Sequence, residues 1–170
     1  YDVWQRVQLF PSIRLYSILL SAIAVSDADE PGIVLAYEIL QHYKEHVLHT
    51  DLKREDIITY YTTCGWMMWN WLVSSLQVGA TLCLYDGNPV YPDSEILWKK
   101  IEYNKISIFG TSPKYLSIFG KQGFIPKDKY NLESLRSILS TGSPLPEETF
   151  RWIYENVKPN LQLSSISGGT

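Results

Sequence analysis

Ser137-Ile138-Leu139-Ser140-Thr141-Gly142-Ser143-Pro144-Leu145-Pro146-Glu147-Glu148 is the stretch that decides the fold. A short apolar run stops at small hydroxyl residues and a glycine, then passes through two prolines into two glutamates. This order predicts a buried strand that delivers a polar, close-approach loop onto the start of a helix. Proline is tolerated at a helix start because its missing N–H would have no partner there. Carboxylates in the first turn are favoured by the helix dipole.

The same order of signals recurs on both sides. Downstream, Phe150, Ile153, Tyr154 and Val157 fall at helical spacing up to Lys158-Pro159, and 161–166 predicts a last strand ending at Ser167-Gly168-Gly169-Thr170. Upstream, 106–109 predicts a strand ending at Gly110-Thr111-Ser112, with Ser112 as the cap and Pro113 as the first residue of a helix to about Gly120. Residues 123–135 read as a surface excursion. Strand 81–85 ends at Asp86-Gly87, and Pro92 and Asp93 open a helix carrying Ile96, Leu97 and Ile101. Strand 57–62 ends at Thr62-Thr63-Cys64-Gly65 and leads into an apolar helix over 66–78, closed by Gly79. A strand over 32–35 and a one-sided helix over 36–49, with Ala36, Leu40, Tyr43 and Val47 on its apolar face, complete the pattern.

Strand and helix thus alternate in short units, which predicts an α/β fold: repeated βα units forming a mainly parallel sheet flanked by helices. Residues 1–31 form a poorly defined, divergent or misordered segment. Val3, Val7 and Phe10 are too sparse for a helix, Pro11 breaks the pattern, and the run 13–25 fits a strand or a helix. The legible domain is 32–170.

The net charge of −3, without a basic block, argues against nucleic acid as a partner. The longest apolar run, 15–25, is broken by Ser17 and Ser21 and is too short to span a bilayer. Cys64 and Cys83 lie in apolar runs without C-x-x-C spacing, so a reduced interior and a cytoplasmic location are expected. The six tryptophans and twelve tyrosines imply a large aromatic core or an interface. A start without Met and a stop on Ser-Gly-Gly-Thr read as a piece of something larger.

In parallel sheets ligands bind beyond the carboxyl ends of the strands. Here those ends carry Thr62-Thr63-Cys64-Gly65, Gly110-Thr111-Ser112, Thr141-Gly142-Ser143 and Ser167-Gly168-Gly169-Thr170. Any one cluster is adequately explained as a tight turn. Gathered on one edge, their N–H groups and hydroxyls suit phosphate, ribose or carboxylate, so a nucleotide-type crevice is favoured.

Three motifs then carry a resemblance. Tyr60-Tyr61-Thr62-Thr63-Cys64-Gly65-Trp66-Met67-Met68-Trp69-Asn70-Trp71, Leu139-Ser140-Thr141-Gly142-Ser143-Pro144-Leu145 and Ser165-Ile166-Ser167-Gly168-Gly169-Thr170 occur in the order found in the acyl-adenylate-forming (acyl-CoA synthetase) superfamily. The segment Gln41-His42-Tyr43-Lys44-Glu45-His46-Val47-Leu48-His49 also resembles a helix of that family. Over about 31–170 the chain resembles part of an AMP-binding (adenylation) domain. The resemblance implies a two-step ligase reaction: ATP and an acid, here acetoacetate, give an acyl-adenylate and pyrophosphate, and CoA then displaces AMP. It implies Mg2+ alongside ATP in the intact enzyme. It places Gly65, Trp66, Met67 and Thr141 at the acyl pocket. Gly142, Ser143, Pro144, Ser167, Gly168, Gly169 and Thr170 would then surround the nucleotide, with Thr170 nearest the phosphate. A large apolar residue such as Trp66 can limit acid length, and glycine permits close backbone approach to a flat base.

Two departures bear on activity. Where the superfamily has a Gly/Ser/Thr-rich phosphate loop with a lysine, this chain has Ser21-Ala22-Ile23-Ala24-Val25-Ser26-Asp27-Ala28-Asp29-Glu30, without glycine or lysine and with carboxylates facing the triphosphate position. The acidic magnesium partner and the C-terminal domain with the catalytic lysine would follow Thr170. The isolated chain is therefore expected to be inactive, and a non-catalytic remnant with a nucleotide-type crevice is the rival reading.

His42, His46 and His49 sit at metal-compatible spacing, but a packed or solvated helix face is favoured over a metal site. Trp66, Trp69 and Trp71 read as core, with a pocket role reserved for Trp66. Cys64 reads as a small buried residue rather than a nucleophile. Thr111, Ser112 and Lys114 divide evenly between lining the crevice and capping.

Overall fold

The computed structural model describes residues 3–8 and 40–167. Their centre is a six-stranded sheet in the order β1-β3-β2-β4-β5-β6, with β1 at Val3–Gln8, β2 at Ile57–Tyr60, β3 at Thr81–Asp86, β4 at Ile108–Thr111, β5 at Ser137–Ser140 and β6 at Gln162–Ser165. Strands β3, β2, β4, β5 and β6 are parallel to their neighbours. Only β1 runs antiparallel, pairing Val3 with Asp86 and Gln8 with Thr81. The mainly parallel sheet is as the sequence predicts. The edge strand β1 is not predicted, because its short stretch of mixed residues carries no clear period.

The crossovers are α1 (Met67–Ser74), α2 (Ile96–Asn104), α3 (Pro113–Gln122), α4 (Pro126–Lys129) and α5 (Glu147–Asn156). Local chemistry sets their limits. Ser112 accepts a hydrogen bond from the Tyr115 N–H, with Pro113 in the first turn, so the predicted cap is observed. A 3-10 turn over Ser75–Val78 extends α1, and Gly79 ends it at φ +86°, a left-handed conformation that glycine adopts without penalty.

The two sheet faces bury different cores. On one face, Phe109 and Ile138 pack with Trp98 and Ile101 of α2, Leu116 and Phe119 of α3, and Trp152 and Ile153 of α5. On the other, Ile58, Tyr60, Leu82, Ile108 and Leu139 pack with Met68, Trp71 and Leu72 of α1. Full burial of such side chains is worth about 1.5–3 kcal/mol each; β4 and β5, each paired on both sides and covered on both faces, are buried throughout.

Three expectations change. Residues 40–44 are helical and continue into a π-helical turn at Glu45–His49, but the buried face is not the apolar one. Leu40, Tyr43 and Leu48 are exposed while His46 is fully buried. Residues 123–135 are more than a surface excursion, since they contain α4 and bury Tyr130, Leu132 and Leu135. Cys64 is exposed, not buried. The predicted strand at 32–35, the run 13–25 and the segment 21–30 lie outside the described residues.

Candidate functional site

Parallel pairing aligns the carboxyl ends of β2, β4, β5 and β6 on one rim, and backbone bonds continue that alignment past the strands. The Tyr61 N–H donates to the Gly110 carbonyl at 2.9 Å, Thr141 N–H to the Thr111 carbonyl at 3.3 Å, and Ile166 N–H to the Ser140 carbonyl at 2.7 Å. The Thr141 hydroxyl donates to the Ile166 carbonyl at 2.8 Å, tying the two loops together. The convergence of successive βα turns expected from the sequence is therefore observed.

Between the exits of β5 and β6 lies a cleft of about 410 Å³ lined by Thr141, Gly142, Ser143, Pro144, Ser165, Ile166 and Ser167. None of these side chains is ionisable, so a guest would meet hydroxyls, backbone amides and the Pro144 and Ile166 surfaces. Pro144 has no N–H to offer, which leaves Gly142 and Ser143 as the first amide donors of the turn. Gly142 has φ +103°, and no atom lies within 4 Å of where a Cβ would stand. Glycine is thus required here by backbone conformation and not by crowding. Gly142→Ala should lower the unfolding free energy by about 1–2 kcal/mol, the strain of a left-handed L-residue. Urea denaturation measures it, and an unchanged midpoint would show that the turn relaxes.

Of the residues singled out from sequence, the cleft gathers Thr141, Gly142, Ser143, Pro144 and Ser167. Gly65, Trp66 and Met67 are on the same rim at the exit of β2 but do not line this cleft. Trp66 caps α1 through backbone bonds, its N–H donating to the Thr63 carbonyl at 3.1 Å and its carbonyl accepting the Trp69 N–H at 2.9 Å. Trp66 is 64% exposed and Trp69 is half-buried, unlike Trp71 at 7%, so of these three only Trp71 is core. Met67 is half-buried against the α1-side core. Gly168, Gly169 and Thr170 lie outside the described residues. Thr111 is buried, Ser112 caps α3, and neither they nor Lys114 line the cleft, so the capping role of Ser112 is the one observed.

One contributor to the site was missed. Tyr60 lies on the α1 face with its hydroxyl donating to the Thr111 carbonyl at 3.3 Å, and burial pushes its phenol well above the ordinary tyrosine range. It remains a neutral donor bracing the exit of β4. The pairing of an aromatic with Gly110 across two strands could be recognised only once the register was known.

Among the described residues, no group of three or more His, Cys, Asp or Glu side chains could hold a metal ion. The magnesium implied by the resemblance has no ligand set there. The metal reading of His42, His46 and His49 is likewise unsupported. Nor is any helix among the described residues long and apolar enough to cross a membrane.

Sheet order, rim and cleft define a mainly parallel α/β domain with an open cleft at its carboxyl edge, and residues 34–166 match the model of the AMP-binding enzyme family. The chain belongs to that family. Its similarity is more particular: it is 53% identical over 132 residues to "Acetoacetyl-coenzyme A synthetase" of Rhizobium meliloti (strain 1021), and 47% identical to "Acetoacetyl-CoA synthetase" of Gallus gallus. Each alignment covers 78% of this chain and 20% of the relative. Among solved structures, "Acetoacetyl-CoA Synthetase from Streptomyces lividans" matches with a TM-score of 0.75 at 38% identity, covering 79% of this chain and 21% of that one. The chain thus spans about a fifth of the length of these proteins.

Proposed function

We propose that this chain is the nucleotide-facing part of an ATP-dependent acid–CoA ligase that activates acetoacetate through an acyl-adenylate to give acetoacetyl-CoA. The observation that carries the reading is the cleft joining Thr141–Pro144 to Ser165–Ser167 at the carboxyl edge of the parallel sheet, in a chain whose named relatives are acetoacetyl-CoA synthetases. In this reading Gly142, Ser143, Pro144 and Ser167 border the adenylate, and Gly168, Gly169 and Thr170 continue that border. Gly65, Trp66, Met67 and Thr141 shape the acyl side. Thr141 acts through its bond to the Ile166 carbonyl, which keeps the two walls in register. ATP, AMP, CoA and acetoacetate are the partners, Mg2+ accompanies ATP in the intact enzyme, and the location is cytoplasmic.

The test is a titration of the purified chain with AMP, followed by backbone amide resonances. AMP should move the amides of Thr141, Gly142, Ser143, Ser165 and Ser167 more than those of α2 or β1. No movement at millimolar AMP, or movement confined elsewhere, overturns the nucleotide assignment.

A second reading, a remnant without catalysis, is favoured by the carboxylate-rich segment Ser21–Glu30 where the family holds phosphates. The 170-residue chain alone should therefore show no ATP-, acetoacetate- and CoA-dependent AMP release. Coupled detection of AMP checks this, and turnover would remove the remnant reading.

A further inference from the structure

His46 is the one histidine whose surroundings are fully built. It is fully buried, with Nε2 2.8 Å from the Trp71 carbonyl and 2.8 Å from Ser74 Oγ. The Ser74 hydroxyl itself donates to the Trp71 carbonyl at 2.7 Å, which leaves its oxygen able to accept. Nε2 is therefore the protonated nitrogen, and Nδ1 is buried without a hydrogen-bond partner. The imidazole also lies 4.3 Å from the Trp71 ring, centroid to centroid. The π-helical turn Glu45–His49 sets this side chain inward, and isolated π turns are frequent at functional positions.

These contacts grip the second half of α1. The first half begins at Met67 behind its cap Trp66, and that cap has no side-chain hydrogen bond of its own. Trp71 in turn meets Tyr60 edge-on at 6.2 Å, and Tyr60 braces Thr111 at the rim. Imidazole, helix and rim are thus one contiguous set of contacts. We propose that His46 is a positioning residue for the Trp66–Met67 end of α1, fixing the wall of the acyl pocket from the far end of the helix. The proposal rests on the acyl-pocket reading given above.

Protonation would break the arrangement, because a charged imidazole would need a second acceptor at Nδ1. Burial lowers the His46 pKa to about 4; the Trp71 carbonyl opposes that shift and His42 adds to it. The folded state thus disfavours the charged form, so its stability falls as pH drops from the ordinary histidine value near 6.5 toward 4. The ionisable groups of its own segment are His42, Tyr43, Lys44, Glu45 and His49; Glu45 and His49 pair at 3.0 Å, and His42 is the one that acts on the His46 charge. Met67–Val78, which packs against it, carries none.

The experiment is amide hydrogen exchange on the purified chain, wild type against His46→Gln and His46→Leu. Glutamine keeps an uncharged donor for the Trp71 carbonyl, whereas leucine keeps only volume. At pH 7, His46→Leu should speed exchange over 66–74 about tenfold more than over β4 and β5, and His46→Gln should stay within about twofold of wild type. Equal acceleration everywhere would make His46 a general stability residue and overturn the proposal. If His46→Leu does not fold, the ratio of wild-type to His46→Gln exchange decides. It should rise over 66–74 as pH falls from about 7 to about 5, and a flat ratio overturns the proposal. Acetoacetate added to the wild type is read separately: failure to perturb Gly65, Trp66 and Met67 removes the acyl-pocket reading but leaves the His46–α1 linkage standing.

Discussion

Arg136→Ala should lower the unfolding free energy by about 2–3 kcal/mol, the worth of hydrogen bonds to a charged group, short of the cost of breaking a fully buried pair because the guanidinium is 30% exposed. Asp56 is 5% exposed. Arg136 holds it in fork geometry, with Nε 2.9 Å from Oδ1 and the other arm on Oδ2. The same guanidinium donates to the Asp51 carbonyl at 2.6 Å. Ser107 donates to Oδ1 at 2.8 Å and the Lys53 N–H to Oδ2 at 2.7 Å. Asp56, Ser107 and Arg136 immediately precede β2, β4 and β5, so this knot clamps the amino ends of three adjacent strands on the rim opposite the cleft. Alanine would leave the carboxylate buried with its chief counter-charge gone. Urea denaturation at pH 7 measures the loss, and a value below about 1 kcal/mol would class the pair with exposed salt bridges.

The pH dependence of this knot has a definite sign. Burial raises the Asp56 pKa, but the hydrogen bonds from Arg136, Ser107 and Lys53 outweigh it and hold the carboxyl below its ordinary value. A depressed folded-state pKa gives stability that is present above the unfolded value near 4 and lost as pH falls through the folded one. Acid destabilisation from Asp56 thus begins where that from His46 is nearly complete. Arg136→Ala should remove the lower phase and leave the upper one.

The legible parts of the fold were those in which several signals agreed. Strand 137–140, its glycine turn and its proline-led helix needed only local grammar, and the Ser112-Pro113 start of α3 was fixed by capping chemistry. Convergence of the loops followed from parallel pairing, so the grouping of Thr141–Pro144 with Ser167 was within reach. What sequence could not supply was pairing between distant positions. The apolar face of 36–49 had the right period, yet His46 is the residue that finds partners, in Trp71 and Ser74, so polar satisfaction decided the orientation. Asp56 and Arg136, 80 residues apart, each look like surface charges until the register brings them together. Cys64 lies in an apolar neighbourhood by sequence but on the exposed rim turn in space.

Register dependence is greatest at Gly110, where substitution should couple stability to the site. A Cβ added there would stand 1.9 Å from Tyr60 Cδ2 and 2.5 Å from its Cγ. Atoms so near the ring's attachment cannot be cleared by a small rotation. Tyr60 is 7% exposed, with Trp71 on its flank and its hydroxyl on the Thr111 carbonyl. Either the ring leaves its site or β4 separates from β2, and both disturb the Thr111 carbonyl that also receives the Thr141 N–H. Gly110→Ala should therefore cost about 3 kcal/mol, the upper end of ordinary overpacking, and weaken AMP-induced shifts at Thr141 and Gly142. Tyr60→Val should cost less, since it removes the ring while leaving a β-branched side chain suited to a strand. Combined with Gly110→Ala, it should restore stability relative to Gly110→Ala alone, with a coupling above about 1 kcal/mol. Additive losses in the double variant would mean that Gly110 is constrained by something other than the Tyr60 ring.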